Sequence, residues 1–245
     1  MDIISRFLSV RGKMLRTIAV IPVFTFYLIL ATLIFPFYIL TKRKLGGSLF
    51  RNCSIILMKL CGVRCFAEGL ENIDPNETYF VVANHRSTAD IPIITAVLPL
   101  NLRIMAKKEL FRIPLFGQLM WLYDFVPIDR KNKRNAAKSL KNAEKKMKYF
   151  SYLVFPEGTR YVGHIGKFKS GALSLTENGC KILPIALIGA EKIIEPDAYT
   201  ISKGDVRMKI FPPVTIAENE TRHELAERLH KIISDYIDAE DPACR

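Results

Sequence analysis

One long apolar run constrains this chain more than any other feature. Thr17–Thr41 contains no charged side chain (TIAVIPVFTFYLILATLIFPFYILT). As a straight helix it would be about 37 Å long, at roughly 1.5 Å per residue, enough to cross a hydrocarbon core of about 30 Å. The run is too long for a signal peptide, and no small-residue cleavage site follows it. We therefore expect this segment to contact a membrane.

The residues around the run argue against a simple crossing. Basic residues flank it on both sides, namely Arg6, Arg11, Lys13 and Arg16 before it and Lys42, Arg43, Lys44 and Arg51 after it. The positive-inside rule assigns both flanks to the cytoplasmic side. Leu49–Cys61 has apolar residues at helical spacing, which is typical of a helix lying in the interface. The sequence predicts that residues 1–60 form a monotopic two-helix anchor on the cytoplasmic face of the cell membrane. A single span and a buried soluble helix are the alternatives.

The charge and composition of the chain limit the classes of partner that we expect it to bind. The chain has 36 Lys and Arg against 24 Asp and Glu, a net charge of +12, yet 49% of its residues are hydrophobic. Disordered and low-complexity chains are not this apolar. A basic, apolar chain favours an anionic membrane surface or phosphate-bearing ligands over nucleic acid. The five cysteines lack zinc-ligand spacing, so we expect reduced thiols and no structural metal.

Beyond residue 61 the pattern changes to short apolar runs that alternate with helical stretches. The predicted strands are Arg64–Glu68, Tyr79–Ala83, Leu102–Ala106, Phe125–Ile128, Tyr152–Phe155, Ile182–Leu187 and Val206–Phe211. The predicted helices are Ile91–Leu98, Phe116–Tyr123, Asn132–Tyr149, Lys169–Glu177 and Thr221–Ala239. Such alternation is typical of an α/β fold with a mostly parallel sheet flanked by helices. We expect one α/β domain over residues 61–245, preceded by the membrane anchor.

A histidine and an aspartate follow the second predicted strand. Five residues apart on an ideal helix, His85 and Asp90 would point about 140° apart. They can meet only if His85 lies in the loop and Asp90 in the first turn of the next helix. An Asp bonded to one ring nitrogen would fix the tautomer and leave the other nitrogen as a base. A purely structural contact is the alternative.

Polar residues also follow other predicted strands. Arg160 offers a planar fork of donors suited to phosphate, and Gly158 allows a turn beside it. Glu157 could pair with Arg160 or brace the loop. Arg130 and Lys107 end two further strands. Because ligands bind at the carboxyl ends of parallel strands, these loops predict an anion-binding crevice.

These stretches resemble the glycerolipid acyltransferase family, specifically the 1-acylglycerol-3-phosphate acyltransferases. The family's NH-x-S-x-x-D block is present at Asn84–Asp90, and its FPEGTR block at Phe155–Arg160. The I-D-R block is present at Ile128–Arg130, and the apolar block around a proline at Ile182–Leu187. The chain departs from the family at Tyr123-Asp124, close to where members carry a glycine.

The resemblance implies acyl transfer from acyl-coenzyme A or an acyl-carrier protein to the sn-2 hydroxyl of lysophosphatidic acid, which gives phosphatidic acid. His85 would be the general base, oriented by Asp90, with Glu157 supporting the loop. The phosphate ligands would be Arg160 and Lys107, backed by Gly158, Thr159 and Arg130. The family's reaction implies neither a metal nor a resident cofactor.

One helix is unusually basic. Residues 131–148 carry eight Lys or Arg and one acid, Glu144, while Ala136, Leu140, Ala143 and Met147 form an apolar stripe. This pattern predicts a helix packed on the sheet with a cationic outer face. A solvated face, contact with anionic lipid headgroups and contact with an acidic carrier protein are all open.

Two alternatives to the sn-2 acyltransferase remain. The same chemistry could act on another lysophospholipid or on glycerol 3-phosphate. The chain could also be a non-catalytic membrane lipid carrier. Nucleic-acid binding through the basic helix has no recognition motif to support it.

Overall fold

The structure is a computed structural model that describes residues 12–22, 25, 29, 44–114, 116–161, 163–176, 179–195 and 200–241. Its seven strands are β1 (Val63–Glu68), β2 (Phe80–Ala83), β3 (Leu102–Lys107), β4 (Val126–Ile128), β5 (Ser151–Val154), β6 (Ile182–Ile188) and β7 (Gly204–Ile210). They form one sheet in the order β1-β7-β6-β2-β5-β3-β4. All neighbouring pairs are parallel except β6 and β7.

Helices cover both faces of the sheet. They are α1 (residues 12–22), α2 (Lys44–Cys61), α3 (Asp90–Val97), α4 (Phe116–Leu122), α5 (Lys133–Glu144) and α6 (Arg222–Glu240). Short 3₁₀ turns occupy Leu70–Asn72, Lys108–Arg112, Ser170–Leu173 and Ala190–Lys192. The predicted mostly parallel α/β architecture is therefore confirmed.

Side-chain alternation along the strands creates two cores. Val81 of β2 points to the face covered by α1, α2 and α3, where Phe50 and Ile93 pack. Val82, the next residue, points to the opposite face, where Leu140 of α5 and Leu229 of α6 pack. The helix pair α1–α2 and helix α5 thus lie on opposite sides of the sheet.

The N-terminal helices attach to the domain along one side. The Thr17 hydroxyl accepts a hydrogen bond from the Ile201 backbone at 3.0 Å, and the Arg16 side chain donates to the Ile201 carbonyl at 3.1 Å. Phe50 of α2 meets Phe125 edge to face at 5.3 Å. Among the described residues, no helix has both the length and the apolar character needed to cross a membrane. Most of the apolar run predicted as the first anchor helix, residues 23–41 apart from 25 and 29, lies outside the described residues.

The structure bears on two local features that the sequence analysis singled out. The predicted helix Lys169–Glu177 is wrong, because its described residues, 169–176, form no α-helix and a 3₁₀ turn occupies Ser170–Leu173. Gly171 and its neighbouring serine are poor formers of a helix interior, which accounts for the difference. Asp124, close to where members of the resembled family carry glycine, has a φ of 58° in the left-handed region. Lys146 binds its carboxylate, so an ion pair holds the strained turn together.

Candidate active site

The candidate site lies where four adjacent parallel strands end. β2, β5, β3 and β4 are neighbours, so the loops that follow them meet at one edge of the sheet. The Asn84 side chain fixes the end of β2, because it donates to the Leu187 carbonyl at 2.9 Å and accepts from the Leu187 amide at 2.7 Å. The next residue, His85, is therefore held at a defined position.

His85 and Asp90 meet as the sequence predicts. Nδ1 of His85 lies 2.7 Å from Oδ2 of Asp90, the first residue of α3. The same oxygen accepts the backbone N–H groups of Arg86 at 2.8 Å and Ser87 at 2.9 Å. Asp90 is fully buried, whereas His85 is partly exposed. With the carboxylate as acceptor, Nδ1 carries the proton, and Nε2 has no partner within the described part of the chain.

The ring and the backbone of His85 each make one further contact. It stacks on Phe155, with ring centroids 4.1 Å apart and planes 18° apart. The carbonyl of His85 accepts the Tyr161 amide at 3.0 Å. The β2 and β5 loops are thus joined at the histidine itself.

Glu157 joins a third segment to these two loops. Its Oε1 accepts the His85 amide at 2.7 Å, and its Oε2 accepts the Gly166 amide at 2.9 Å. Burial raises the pKa of this carboxyl to about 7, against the lowering effect of the two hydrogen bonds. Of the two expectations for Glu157, the structure shows it bracing the loop and not pairing with Arg160.

A buried ion pair supports the loop from the far end of the chain. Arg86 donates to Asp241, just past the end of α6, at 2.6 Å. Both side chains are buried. This pair could not be predicted from local sequence patterns, because 155 residues separate its members.

A cavity of about 1040 Å³ opens beside the histidine. His85, Lys107, Arg130 and Gly158 all line it. Its apolar lining comes from strands and helices around the strand ends, including Ile104, Met105, Ile128, Ala136, Leu140 and Phe168. Gly158 has a φ of 72°, and a Cβ there would come within 2.8 Å of the Lys169 ammonium. This lysine also lines the cavity and is a cation that the predicted site omitted.

The predicted phosphate ligands are exposed around this cavity. Arg160 donates to the Thr88 hydroxyl at 2.9 Å, so it already lies next to the His85 loop. Lys107 is half exposed and only 4.0 Å from the Glu109 carboxylate. Arg130 and Thr159 are exposed as well. Arg160 and Thr159 do not line the cavity itself.

The neighbouring Lys108 is already engaged in an ion pair. It binds Asp129 at 2.6 Å, and this bond, with one from Asn135, lowers the pKa of the Asp129 carboxyl to about 2. The ion pair fixes the loop that presents Arg130. Lys107 and Arg130 therefore project from loops that are themselves held in place.

Sequence comparisons relate this chain to known acyltransferases. A family model described as acyltransferase matches residues 64–188. A 1-acyl-sn-glycerol-3-phosphate acyltransferase of Helicobacter pylori is 33% identical over 82% of this chain and 86% of its own length. One of Saccharomyces cerevisiae is 28% identical over 97% of this chain and 79% of its own length.

A solved structure extends the agreement to the fold. The crystal structure of the 1-acyl-sn-glycerophosphate (LPA) acyltransferase PlsC from Thermotoga maritima matches with a TM-score of 0.80 and 24% identity. The match covers 96% of this chain and 99% of that chain. The fold of this chain is therefore similar to that of a known protein.

Proposed function

The chain belongs to the acyltransferase family, and on this premise we propose that it acylates the sn-2 hydroxyl of 1-acylglycerol-3-phosphate, giving phosphatidic acid. The observation that carries the proposal is the His85–Asp90 pair, 2.7 Å apart at the rim of a cavity edged with cations. Relatives from bacteria and yeast are named for this same reaction.

The arrangement fits direct transfer with no acyl-enzyme intermediate. Nε2 of His85 takes the proton of the acceptor hydroxyl as its oxygen attacks the thioester carbonyl. The Asp90 carboxylate stabilises the imidazolium that forms. When the tetrahedral intermediate collapses, the C–S bond breaks and the sulfur leaves with that proton. A thioester is already activated and the phosphate is bound, not transferred, so the proposed reaction requires no metal.

The cations at the rim suit the acceptor's phosphate. Arg160 is the main ligand in this proposal, because its fork can bind two phosphate oxygens and it lies beside the His85 loop. Lys107 provides a second charge, and Gly158, Thr159 and Arg130 complete the site. The apolar part of the cavity offers room for an acyl chain.

We also propose that residues 1–60 hold the enzyme in one leaflet, on the cytoplasmic face of the membrane. Met14, Leu15, Ile18 and Ile21 form one face of α1, and all four are exposed. An exposed apolar face at helical spacing is typical of interfacial helices. The opposite side of α1 is bonded to the loop at Ile201.

Labelling of cysteine tags in sealed vesicles tests this topology. One tag is placed before Met1 and a second at Gly47. Both should react from the same side, and labelling from opposite sides would show a span.

An acyl-transfer assay tests the function. Purified enzyme in mixed micelles receives radiolabelled acyl-coenzyme A or acyl-carrier protein, with lysophosphatidic acid as acceptor and a His85→Ala preparation as blank. Labelled phosphatidic acid should form, and glycerol phosphate should compete with the acceptor. Faster acylation of glycerol 3-phosphate or of a lysophospholipid with a larger headgroup would replace the proposed acceptor. No transfer to any of them would favour the lipid-carrier alternative.

A further inference from the structure

The basic helix α5 carries a row of cations that the proposed chemistry does not use. Arg134, Lys138 and Lys141 lie on α5 and Lys145 is its C-cap, at successive spacings of four, three and four residues. At about 100° per residue these positions fall within about 60° of each other, on the side opposite the buried Leu140. The row spans about 16 Å. We call these four residues the α5 row.

The α5 row has no counter-charge in the described structure. All four side chains are exposed, and none has an acidic partner among the described residues. The nearby Lys146, by contrast, is paired with Asp124. Four like charges on one face repel each other, so the helix would be more stable without this row. An anionic partner is the simplest physical reason for the arrangement.

The helix that carries the row also forms the wall of the cavity. Ala136 and Leu140 line the cavity that contains His85, while the α5 row lies on the outer side of the same helix. A partner that docks on the row would therefore lie about one helix diameter, roughly 10 Å, from this wall of the cavity.

Geometry decides between the anions that could bind. The row lies on a convex helix face, so its side chains spread apart and do not converge on one phosphate. A membrane is also a poor match, because α5 and the N-terminal helices lie on opposite sides of the sheet. A row of charges repeated at successive helical turns matches the acidic face of a helix in another protein.

We propose that the α5 row is the docking surface for an acidic, helical carrier protein that delivers the acyl group as a thioester. This inference rests on the proposed function, since it assigns a partner to that reaction. It requires the thioester to reach His85 from the α5 side of the sheet, along the cavity that Ala136 and Leu140 line.

Donor-dependent kinetics test the proposal. The variant is K138E/K141E, and the control is K192E/K231E, which changes the net charge equally at two exposed lysines away from α5. With acyl-carrier protein as donor, K138E/K141E should raise the donor KM about tenfold or more and leave kcat unchanged. The control should resemble the wild type. As the salt concentration rises, the donor KM of the wild type should increase toward that of K138E/K141E.

Three other results would overturn the docking proposal. An equal rise in KM for acyl-coenzyme A would show that the row binds the phosphates of the coenzyme. Loss of binding to vesicles containing anionic lipid, with donor KM unchanged, would show a lipid contact. Unchanged KM for both donors would show a merely solvated face.

Direct binding separates this inference from the reaction itself. Calorimetry with non-acylated carrier protein measures docking in the absence of transfer. An enzyme inactive with every donor that still binds the carrier through the row would refute the proposed function and retain the docking surface. A wild type that transfers from acyl-coenzyme A but binds no carrier would do the reverse.

Discussion

The two halves of the proposed site are built differently. His85 and Asp90 are held by six polar contacts and a stacked ring, with Asp90 fully buried. Arg160 and Lys107 are exposed, and each has one polar contact in the described structure. Contacts within the protein hold His85 and Asp90 in place, whereas the side chains of Arg160 and Lys107 are less constrained.

This difference matches two separate tasks, the proton transfer of the reaction and the binding of the acceptor phosphate. A base contributes to the rate only when its lone pair is aligned with the acceptor hydroxyl, so rigidity is useful there. A phosphate can be met by several donors from several directions, so mobile side chains suffice. Variants in the rigid half should therefore lower kcat, and variants in the mobile half should raise KM for the acceptor.

Loss of the base should have the largest effect. His85→Ala removes the proposed general base, and we expect kcat to fall by about 10⁴-fold, the upper end of the range for general-base catalysis. Steady-state transfer assays measure this loss. The matched control is His223→Ala, since that histidine lines the same cavity from α6 but is far along the chain from the pair. A folded His85→Ala enzyme with near-normal kcat would refute the mechanism.

Loss of the carboxylate charge should have a smaller effect on the same parameter. An amide oxygen in Asp90→Asn can still accept from His85, Arg86 and Ser87, and its NH₂ group would occupy the position of Oδ1, which has no hydrogen-bond partner in the described structure. The imidazolium then loses its counter-charge while the geometry is kept. We expect kcat to fall about 10²-fold with acceptor KM unchanged. A kcat within twofold of wild type would show that Asp90 only positions the ring.

The part of the site that depends on residues close together in the chain could be predicted from the sequence. His85 and Asp90 are five residues apart, so the strand end and the helix start that follow it decide their contact. The seven strands also lie within two residues of their predicted ends, because a short apolar run such as Phe80–Ala83 is a local signal.

The remaining features depend on contacts between distant parts of the chain. The Glu157 bond to the His85 amide joins residues 72 apart, and the Arg86–Asp241 pair joins residues 155 apart. The antiparallel direction of β6 and β7 is likewise a property of their pairing, not of either strand. Spacing within one segment carries no information about such contacts.

Removing Arg160, the proposed main phosphate ligand, should weaken binding of the acceptor and leave the rate of the chemical step unchanged. Arg160→Ala loses a charge-assisted hydrogen-bonding partner, worth about 1.5–3 kcal/mol, so acceptor KM should rise by roughly 10- to 150-fold. Arg160→Lys should restore part of the affinity, because an ammonium lacks the fork. Thr88→Val is the control, since it removes the hydroxyl that accepts from Arg160 and leaves the guanidinium in place. If both Arg160 variants bind acceptor normally, the phosphate lies elsewhere, on Lys107 and Arg130.

The last expected effect concerns the stability of the protein, not its catalysis, at the junction of the three loops. Burial raises the pKa of Glu157 from 4.5 to about 7, so the folded protein binds more protons than the unfolded chain between these values. Stability should therefore fall as pH rises through this window, by up to about 3 kcal/mol from this group. Glu157→Gln cannot ionise, so its unfolding free energy should change less between pH 5 and pH 7.5. Denaturant unfolding of both proteins in the same micelles measures the difference, and parallel pH profiles would show that Glu157 ionises as readily in the folded state as in the unfolded chain.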